Sequence, residues 1–321
     1  MRISKISDNF TPLHEGILFQ IDTESEAPTD IVVEIVEVAT EEVIGTKLLR
    51  NTVSAMVNIA PYMAYREEYT PATLDHSNFF DAPTASYRIR IDNIESEEVV
   101  VATNRCEIDS TPFVVTALPA SRRIAHGESD ELLIITEKGK TIYAEIVSDT
   151  GCSLHIEHLS ASGVSTLVIA TNDFEVDIQS LDIDLYCDGA KFGSLRYKVT
   201  SPLKTATRLA WVSDCGSIER YTFPSSHKAK RYADKQIVAT SKGVVSAQCR
   251  AKQFISLCSR IEPRATIEAL AQIASSPKVW IEESGNWHLV EVVTPQIEHN
   301  LFGEPSHLHL DICLWQKEVV L

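Results

Sequence analysis

The chain has 321 residues, of which 44% are apolar, and its formal net charge at pH 7 is −16. This length favours two or three domains, and the apolar content is sufficient for a core in each. The acidic balance argues against direct nucleic-acid binding, because such binding requires cations that neutralise phosphates. No stretch approaches the roughly 18 apolar residues that span a bilayer, and the N-terminus lacks a signal-peptide pattern. We therefore expect synthesis and folding in a cytoplasm, with no membrane partner.

The charge is unevenly distributed along the chain. Residues 1–115 carry 8 Lys and Arg against 20 Asp and Glu, residues 116–200 carry 7 against 13, and residues 201–321 carry 14 against 12. Within the last part, residues 228–235 form a basic run. Two interpretations stay open: head-to-tail association between an acidic face and this basic run, or a solvated surface without a partner.

The first predicted module covers residues 1–112. Short apolar segments alternate with polar turns and show almost no helical periodicity, a pattern typical of a β-sandwich or jelly roll. The predicted strands are 16–21, 31–38, 43–49, 53–59, 86–91 and 99–102. Between them, residues 62–83 are irregular and rich in aromatic side chains.

Residues 113–202 predict a second, immunoglobulin-like β-sandwich of six or seven strands. The predicted strands are 132–135, 141–147, 167–170, 174–178, 181–187 and 192–199. The first two are expected to pair across the turn at 137–140, and Asp188-Gly189 is a strong hairpin signal.

Residues 203–321 predict a third module, which is β-rich and contains one short helix. The strands expected here are 209–212, 218–223, 278–281, 287–293 and 308–315. The helix is predicted over 263–275, because Pro263 suits a first turn and Ile267, Leu270 and Ile273 form an apolar stripe. Together the three modules predict a mainly β protein built from tandem sandwiches.

The segment 208–223 reads Arg-Leu-Ala-Trp-Val-Ser-Asp-Cys-Gly-Ser-Ile-Glu-Arg-Tyr-Thr-Phe. Its strand–turn–strand pattern resembles segments of minor structural, tail-associated proteins of phages and prophages of the Bacteroidetes. The residues that carry this resemblance are Trp211, Gly216, Ile218, Tyr221, Thr222 and Phe223. The helix, its stop and the hairpin that begins Ser-Pro-Lys-Val-Trp extend the likeness over most of 205–321. The first 200 residues match only as β-rich modules.

The resemblance implies a non-enzymatic structural component of a phage or phage-like particle, such as a tail, hub, ring or adaptor protein. It implies a location in the virion after synthesis in the bacterial cytoplasm. The expected partners are other virion or tail proteins and further copies of the chain. The alternative is a carbohydrate- or receptor-binding accessory protein that uses the aromatic segment 62–80.

No recognisable set of catalytic residues is present in the sequence. Lys138-Gly139-Lys140-Thr141 ends like a phosphate-binding loop, but Ile134 stands where the first glycine is required. No Gly-x-Ser-x-Gly motif occurs, and no serine or cysteine stands out as a nucleophile. A glycosidase-type pair among the many carboxylates stays open, although no two of them stand out. We therefore predict a protein that is not an enzyme and that has no cofactor.

Two sets of residues are candidate metal ligands. His307 and His309 would share one face of a strand, whereas His155 and His158 would lie on opposite faces. Carboxylates alternate along the predicted strand 174–178 and its neighbour; they are Asp173, Glu175, Asp177, Asp182 and Asp184. A metal requires ligands that converge on one point, so exposed histidines and a solvated sheet face are the favoured interpretation.

Candidate interface residues come from the aromatic rings and the basic run. They are Trp211, Tyr221, Phe223, Lys228, Lys230, Arg231, Tyr65 and Phe79. Rings that alternate with charged residues on strands normally face a core. Most aromatic rings of the third module are therefore expected in the core, with one or two at a subunit contact.

Overall fold

The computed structural model describes residues 1–11, 15–25, 27–63, 70–102, 111–241, 243–294 and 305–315. For residues 225–238, 240, 245–253 and 315, only the backbone is described. The protein is mainly β, with several antiparallel sheets and little helix, which confirms the predicted fold class.

The first module is a sandwich of two sheets. One sheet has the strand order β1 (Arg2–Lys5), β2 (Leu18–Asp22), β5 (Ser54–Asn58). The other has the order β4 (Glu42–Thr52), β3 (Thr29–Glu37), β7 (Ala85–Ile91), β8 (Ile94–Glu95), and β9 (Val99–Val101) also pairs with β7. Phe19 of the first sheet and Ile35 and Ile89 of the second are fully buried in the shared core. The short helix α1 (Ala60–Met63) adds Met63 to this core.

The second module is also a two-sheet sandwich. Its four-stranded sheet has the order β10 (Phe113–Val115), β12 (Ser129–Ile135), β15 (Val164–Ala170), β6 (Asn78–Asp81). Its five-stranded sheet has the order β11 (Ser121–Ala125), β17 (Ala190–Thr200), β16 (Ser180–Cys187), β13 (Lys140–Ser148), β14 (Ser153–Ser160). Within this sheet β11 pairs with β17 in parallel. Apolar residues of both sheets, such as Leu132 and Ile183, form the largest core cluster.

The third module contains one seven-stranded sheet and a helix. The strand order is β19 (Ile218–Phe223), β18 (Thr207–Val212), β22 (Val279–Glu283), β23 (Asn286–Val292), β24 (His309–Trp315), β21 (Gly243–Cys258), β20 (Ser225–Thr240). The helix α2 (Arg264–Ala271) continues as a 3₁₀ turn, Gln272–Ala274, so the predicted helix is confirmed. Ile267, Leu270 and Ile273 pack on Trp211 and its neighbours, as their spacing predicts.

Three local predictions in the first and second modules are wrong. Strand 132–135 does not pair with 141–147, because the chain crosses from one sheet of the sandwich to the other between β12 and β13. Residues 174–178 form no strand: a 3₁₀ turn at Thr171–Asp173 precedes a loop in which Val176 is 80% exposed. Strand β6 lies within the segment predicted to be irregular, and it pairs with β15 of the second module.

Candidate interaction surfaces

The most extended feature is a two-stranded ribbon made of β20 and β21, residues 225–258. Each strand has 16 residues, and the two pair along their whole length. Strand β24 pairs with β21 only from Lys252 to Cys258. Among the described strands, none pairs with the outer edge of β20, and none except β20 pairs with β21 between Val244 and Ala251. Residues 232–240 and 243–251 therefore extend beyond the sheet by about 30 Å, at about 3.3 Å per residue.

The ribbon is basic within an acidic chain. Residues 225–258 contain seven Lys and Arg but one Asp, a net charge of +6, so the rest of the chain carries −22. The cations are Lys228, Lys230, Arg231, Lys235, Lys242, Arg250 and Lys252. Unpaired strand edges are sites where another chain can add, and basic side chains restrict such addition to acidic partners.

Arg220 connects the third module to the second module and to the segment that leads into β6. Its guanidinium donates to the backbone oxygen of Ala72 at 2.7 Å and to the backbone oxygen of Ser129 at 3.1 Å. It also forms an ion pair of 3.2 Å with Glu131 and lies 5.1 Å from the ring centre of Trp287. Burial raises the pKa of Glu131, and the charge of Arg220 opposes that effect. Contacts from one residue therefore join the third module to the second and to the segment that leads into β6.

A second buried charge cluster surrounds Glu219. Its carboxylate accepts hydrogen bonds from the Ala117 backbone N–H at 2.6 Å and from the Ser217 hydroxyl at 2.6 Å. Arg122 lies 3.7 Å from this carboxylate and 3.6 Å from Asp130. Burial raises the pKa of Glu219, with Arg122 acting in the opposite direction. Such clusters add little net stability, but losing one partner is costly because a buried charge is left uncompensated.

Two further contacts cross the same boundary. Arg208 donates to Glu128 at 2.5 Å across the boundary between the third and second modules. Arg123 of the second module forms an ion pair of 3.4 Å with Glu262, which also accepts the hydroxyl hydrogen of Tyr221 at 3.1 Å. The second and third modules thus share a dense polar junction from which the ribbon extends.

The outer face of the five-stranded sheet carries a row of stacked rings. Tyr143 and Tyr186 are directly opposite on β13 and β16, with ring centres 4.6 Å apart and planes within 8°. The ring centre of His155 on β14 lies 5.0 Å from that of Tyr143, with the two planes tilted by 41°. Glu157 is opposite Tyr143 and Glu145 is opposite His155, and both carboxylates are exposed. We call these five residues the aromatic–acidic face.

A cavity of about 260 Å³ lies between the second and third modules, beside the segment around β6. Its lining is mostly apolar and includes Phe80, Leu133 and Ile218, together with the polar residues Glu131 and Ser217. The carboxylate of Glu131 forms an ion pair with Arg220 and accepts a hydrogen bond from the backbone N–H of Ala72. The polar groups of this cavity thus serve the junction.

The candidate metal ligands do not converge on one point. His307 contacts the backbone oxygen of Ser259 at 3.0 Å, whereas His309 lies beside Cys258. Asp173 accepts the backbone N–H of Ser77 at 2.6 Å. His158 stacks on Phe79 and forms a 3.2 Å contact with Asp81. In the described part of the chain, no three His, Cys, Asp or Glu residues are grouped so that they could hold a metal ion.

Four of the five predicted interface rings lie inside the chain. Trp211 and Phe223 are fully buried, and Tyr221 and Phe79 are 6% and 5% exposed. In the chain as described, a partner could not contact these four rings at the surface. The backbone of Lys228, Lys230 and Arg231 lies in β20, near the base of the ribbon, while their side chains are outside the described residues. Tyr65 also lies outside the described residues.

Sequence analysis missed the junction residues and the ribbon strands. Glu219 and Arg220 stand between Ile218 and Tyr221 on β19, and charges flanked by apolar residues on a strand can signal a buried partner. Arg122 lies between Ser121 and Arg123 and carries no such signal. The ribbon has a signal too: residues 236–239 and 243–246 are rich in β-branched residues around a short polar turn. The basic run 228–235 indicates a charged surface, whereas the hairpin pattern beside it is the feature that predicts two paired strands.

No family model matches the chain, and no curated protein is similar to it. Among solved structures, a mutant of alpha-2-macroglobulin from Salmonella is similar with a TM-score of 0.22 and 9% identity. The match covers 93% of this chain and 20% of that protein, so the chain spans about a fifth of its length. A likeness at this TM-score carries no argument about fold or function. None of the helices in the described parts of the chain has the length and apolar character needed to cross a bilayer.

Proposed function

We propose that this chain is a non-enzymatic structural protein that assembles with other copies and with neighbouring proteins in a phage or phage-like particle. The observation that carries the proposal is the ribbon, whose outer edges pair with no other described strand and whose sequence has an excess of cations. The resemblance of Trp211, Gly216 and Tyr221–Phe223 to phage tail-associated segments supports the choice of particle. Location in the virion belongs to the same proposal.

The polar junction supports this role mechanically. Arg122, Arg208 and Arg220 connect the second and third modules through carboxylates and backbone oxygens. An assembly protein must hold its contact surfaces in fixed relative positions, since contacts between copies close into a ring only at a defined rotation. The junction would hold the ribbon in one orientation while its outer part contacts a neighbour.

The alternative of carbohydrate binding through segment 62–80 receives less support from the described residues. The ring of Tyr62 packs against Gly45, where even a Cβ atom would lie 2.2 Å from the ring. Phe79 is buried against His158, and Phe80 lines the cavity between the modules. These three rings pack against other residues of the chain or line the cavity, so they do not form a surface on which a sugar could stack.

The test is the mass of the protein in solution as its concentration rises, combined with negative-stain images. The comparison variant replaces residues 234–250 with Asn-Gly, a two-residue hairpin turn between Ala233 and Ala251, which are direct partners. We expect concentration-dependent assembly of the wild type and a monomeric shortened variant with the same unfolding midpoint. A wild type that stays monomeric at every concentration, or a shortened variant that assembles equally well, would contradict the proposal.

A further inference from the structure

We propose that the ribbon of one copy docks on the aromatic–acidic face of a second copy. This inference rests on the proposed function and names the surface that receives the ribbon. The face consists of Tyr143, Tyr186, His155, Glu145 and Glu157, on strands β13, β14 and β16.

The carboxylates of this face are available for a cationic partner. Glu145 and Glu157 are exposed, and no described residue forms an ion pair or a hydrogen bond with either side chain. Other acids on the same sheet are already paired, as in the contacts of Asp184 with Lys191 at 2.8 Å and of Asp182 with Arg196 at 3.4 Å. Glu145 and Glu157 are therefore the acids of this face that a cationic partner can reach, beside Lys191, which is opposite Tyr186 and is held by Asp184.

The rings supply the apolar part of the contact. Tyr143 and Tyr186 are half-buried and hold each other by stacking, so they form a rigid ridge between the carboxylates. Lys and Arg pack their aliphatic stems along apolar surfaces and keep their charged groups at the edge. A ridge with carboxylates beside it therefore fits a segment rich in Lys and Arg.

The ribbon matches this face in charge and in size. It carries seven Lys and Arg against one Asp. Its two strands lie about 5 Å apart, and β14 to β16 span about 10 Å of the sheet, so the ribbon fits across the face. Because the ribbon and the face are different surfaces, the contact either pairs two copies reciprocally or continues head-to-tail into a ring or a filament.

Charge reversal on each side separates the two parts of the proposal. One variant carries Glu145→Lys and Glu157→Lys; the other carries Lys230→Glu, Arg231→Glu and Lys235→Glu. We expect each variant to weaken self-association at least about tenfold in sedimentation experiments at low salt. Combining all five substitutions in one chain should restore association, because both charges are then reversed.

Matched controls reverse exposed charges elsewhere. Glu175→Lys with Asp177→Lys is the control for the face, and Arg2→Glu with Lys138→Glu and Lys204→Glu is the control for the ribbon. All five positions are exposed, so the folds should be retained, which unfolding midpoints check. We expect both controls to associate like the wild type.

The outcomes distinguish failure of the docking inference from failure of the proposed function. If the ribbon variant fails to associate but the face variant associates normally, the docking inference is overturned and the assembly role stands. If neither variant weakens association, the docking inference is overturned, and the shortened variant then decides the assembly role. If the wild type is monomeric throughout, both are overturned. If the ribbon variant loses binding to a DNA duplex while self-association is unaffected, nucleic acid is the occupant and the docking inference fails.

Discussion

The junction between the second and third modules and the ribbon differ in how their cations are matched. At the junction, Arg122, Arg208 and Arg220 are buried, and each contacts a carboxylate of the same chain. The ribbon has seven Lys and Arg in its sequence and one Asp. The first region is internally neutralised, and the second has a surplus of +6 in a chain of −16.

This difference separates stability from association. A buried charge with its partner in the chain contributes to holding the modules in register, and its loss is felt in folding. A surplus of charge on an extended ribbon contributes little to folding and determines which partner is attracted. Substitutions at the junction should therefore change unfolding, and substitutions on the ribbon should change assembly.

The largest expected effect is at Arg220. Arg220→Ala removes contacts to Ala72, Ser129 and Glu131 and leaves the Glu131 carboxylate buried without its cation. We expect the free energy of unfolding to fall by about 3–5 kcal/mol, measured by urea denaturation. Arg264→Ala is the control, since its ion pair with Glu268 lies on an exposed helix face and is worth about 0.5 kcal/mol. Equal losses in both variants would show that the junction is not a special region.

A smaller effect is expected at Tyr221, one of the predicted interface rings. Tyr221→Phe keeps the buried ring but removes the hydroxyl that donates to Glu262 and accepts the backbone N–H of Arg260. The free energy of unfolding should fall by about 1–3 kcal/mol, because buried partners of a charged hydrogen bond are left unsatisfied. Self-association per folded chain should be unchanged. A loss of association without a loss of stability would place this residue at a subunit contact after all.

The sequence was a good guide to elements whose pattern is local. Alternation and turn residues located β18, β19 and α2 within a few residues, and Asp188-Gly189 does form the turn between β16 and β17. Pairing between strands was harder, because β12 and β13 are adjacent in sequence but lie in different sheets. Register and partner choice depend on the whole core rather than on the turn alone.

The junction shows why the candidate surfaces could not be derived from the sequence. Glu219 and Arg122 are 97 positions apart, and no spacing rule connects them. Only the packing of β19 beside β11 and β12 brings them together. The same holds for the aromatic–acidic face, which requires the order of β16, β13 and β14 before Tyr186, Tyr143 and His155 become neighbours.

The pH dependence of stability gives a finer test of the junction. Burial raises the pKa of Glu219 above its ordinary value of 4.5, so the folded chain retains this proton to higher pH than the unfolded chain. The contribution of this carboxyl to stability is therefore fully present below pH 4.5 and decreases as pH rises through the folded pKa. Glu219→Gln removes this dependence, although it adds a constant loss from altered hydrogen bonds.

We therefore expect the free energy of unfolding of Glu219→Gln to increase relative to that of the wild type as pH rises from 4 to 7. The gain grows with the extent to which burial raises the pKa of Glu219 in the folded chain. Urea denaturation at several pH values measures it, and Glu268→Gln, at an exposed position, provides the matched comparison. A gain for Glu219→Gln no larger than for Glu268→Gln would mean that the junction carboxylate is solvated.

The smallest effect is expected on the ribbon itself. Val244 is 70% exposed on β21, whereas Val212 is 1% exposed on β18 of the same sheet. Val244→Thr should change the free energy of unfolding by less than about 0.5 kcal/mol, and Val212→Thr should lower it by about 1–3 kcal/mol, because it buries a hydroxyl. Since the chemical change is identical, the difference measures how much of the chain packs on each position. If Val244→Thr were as costly as Val212→Thr, the outer ribbon would be packed within its own chain and could not serve as an arm toward a neighbour.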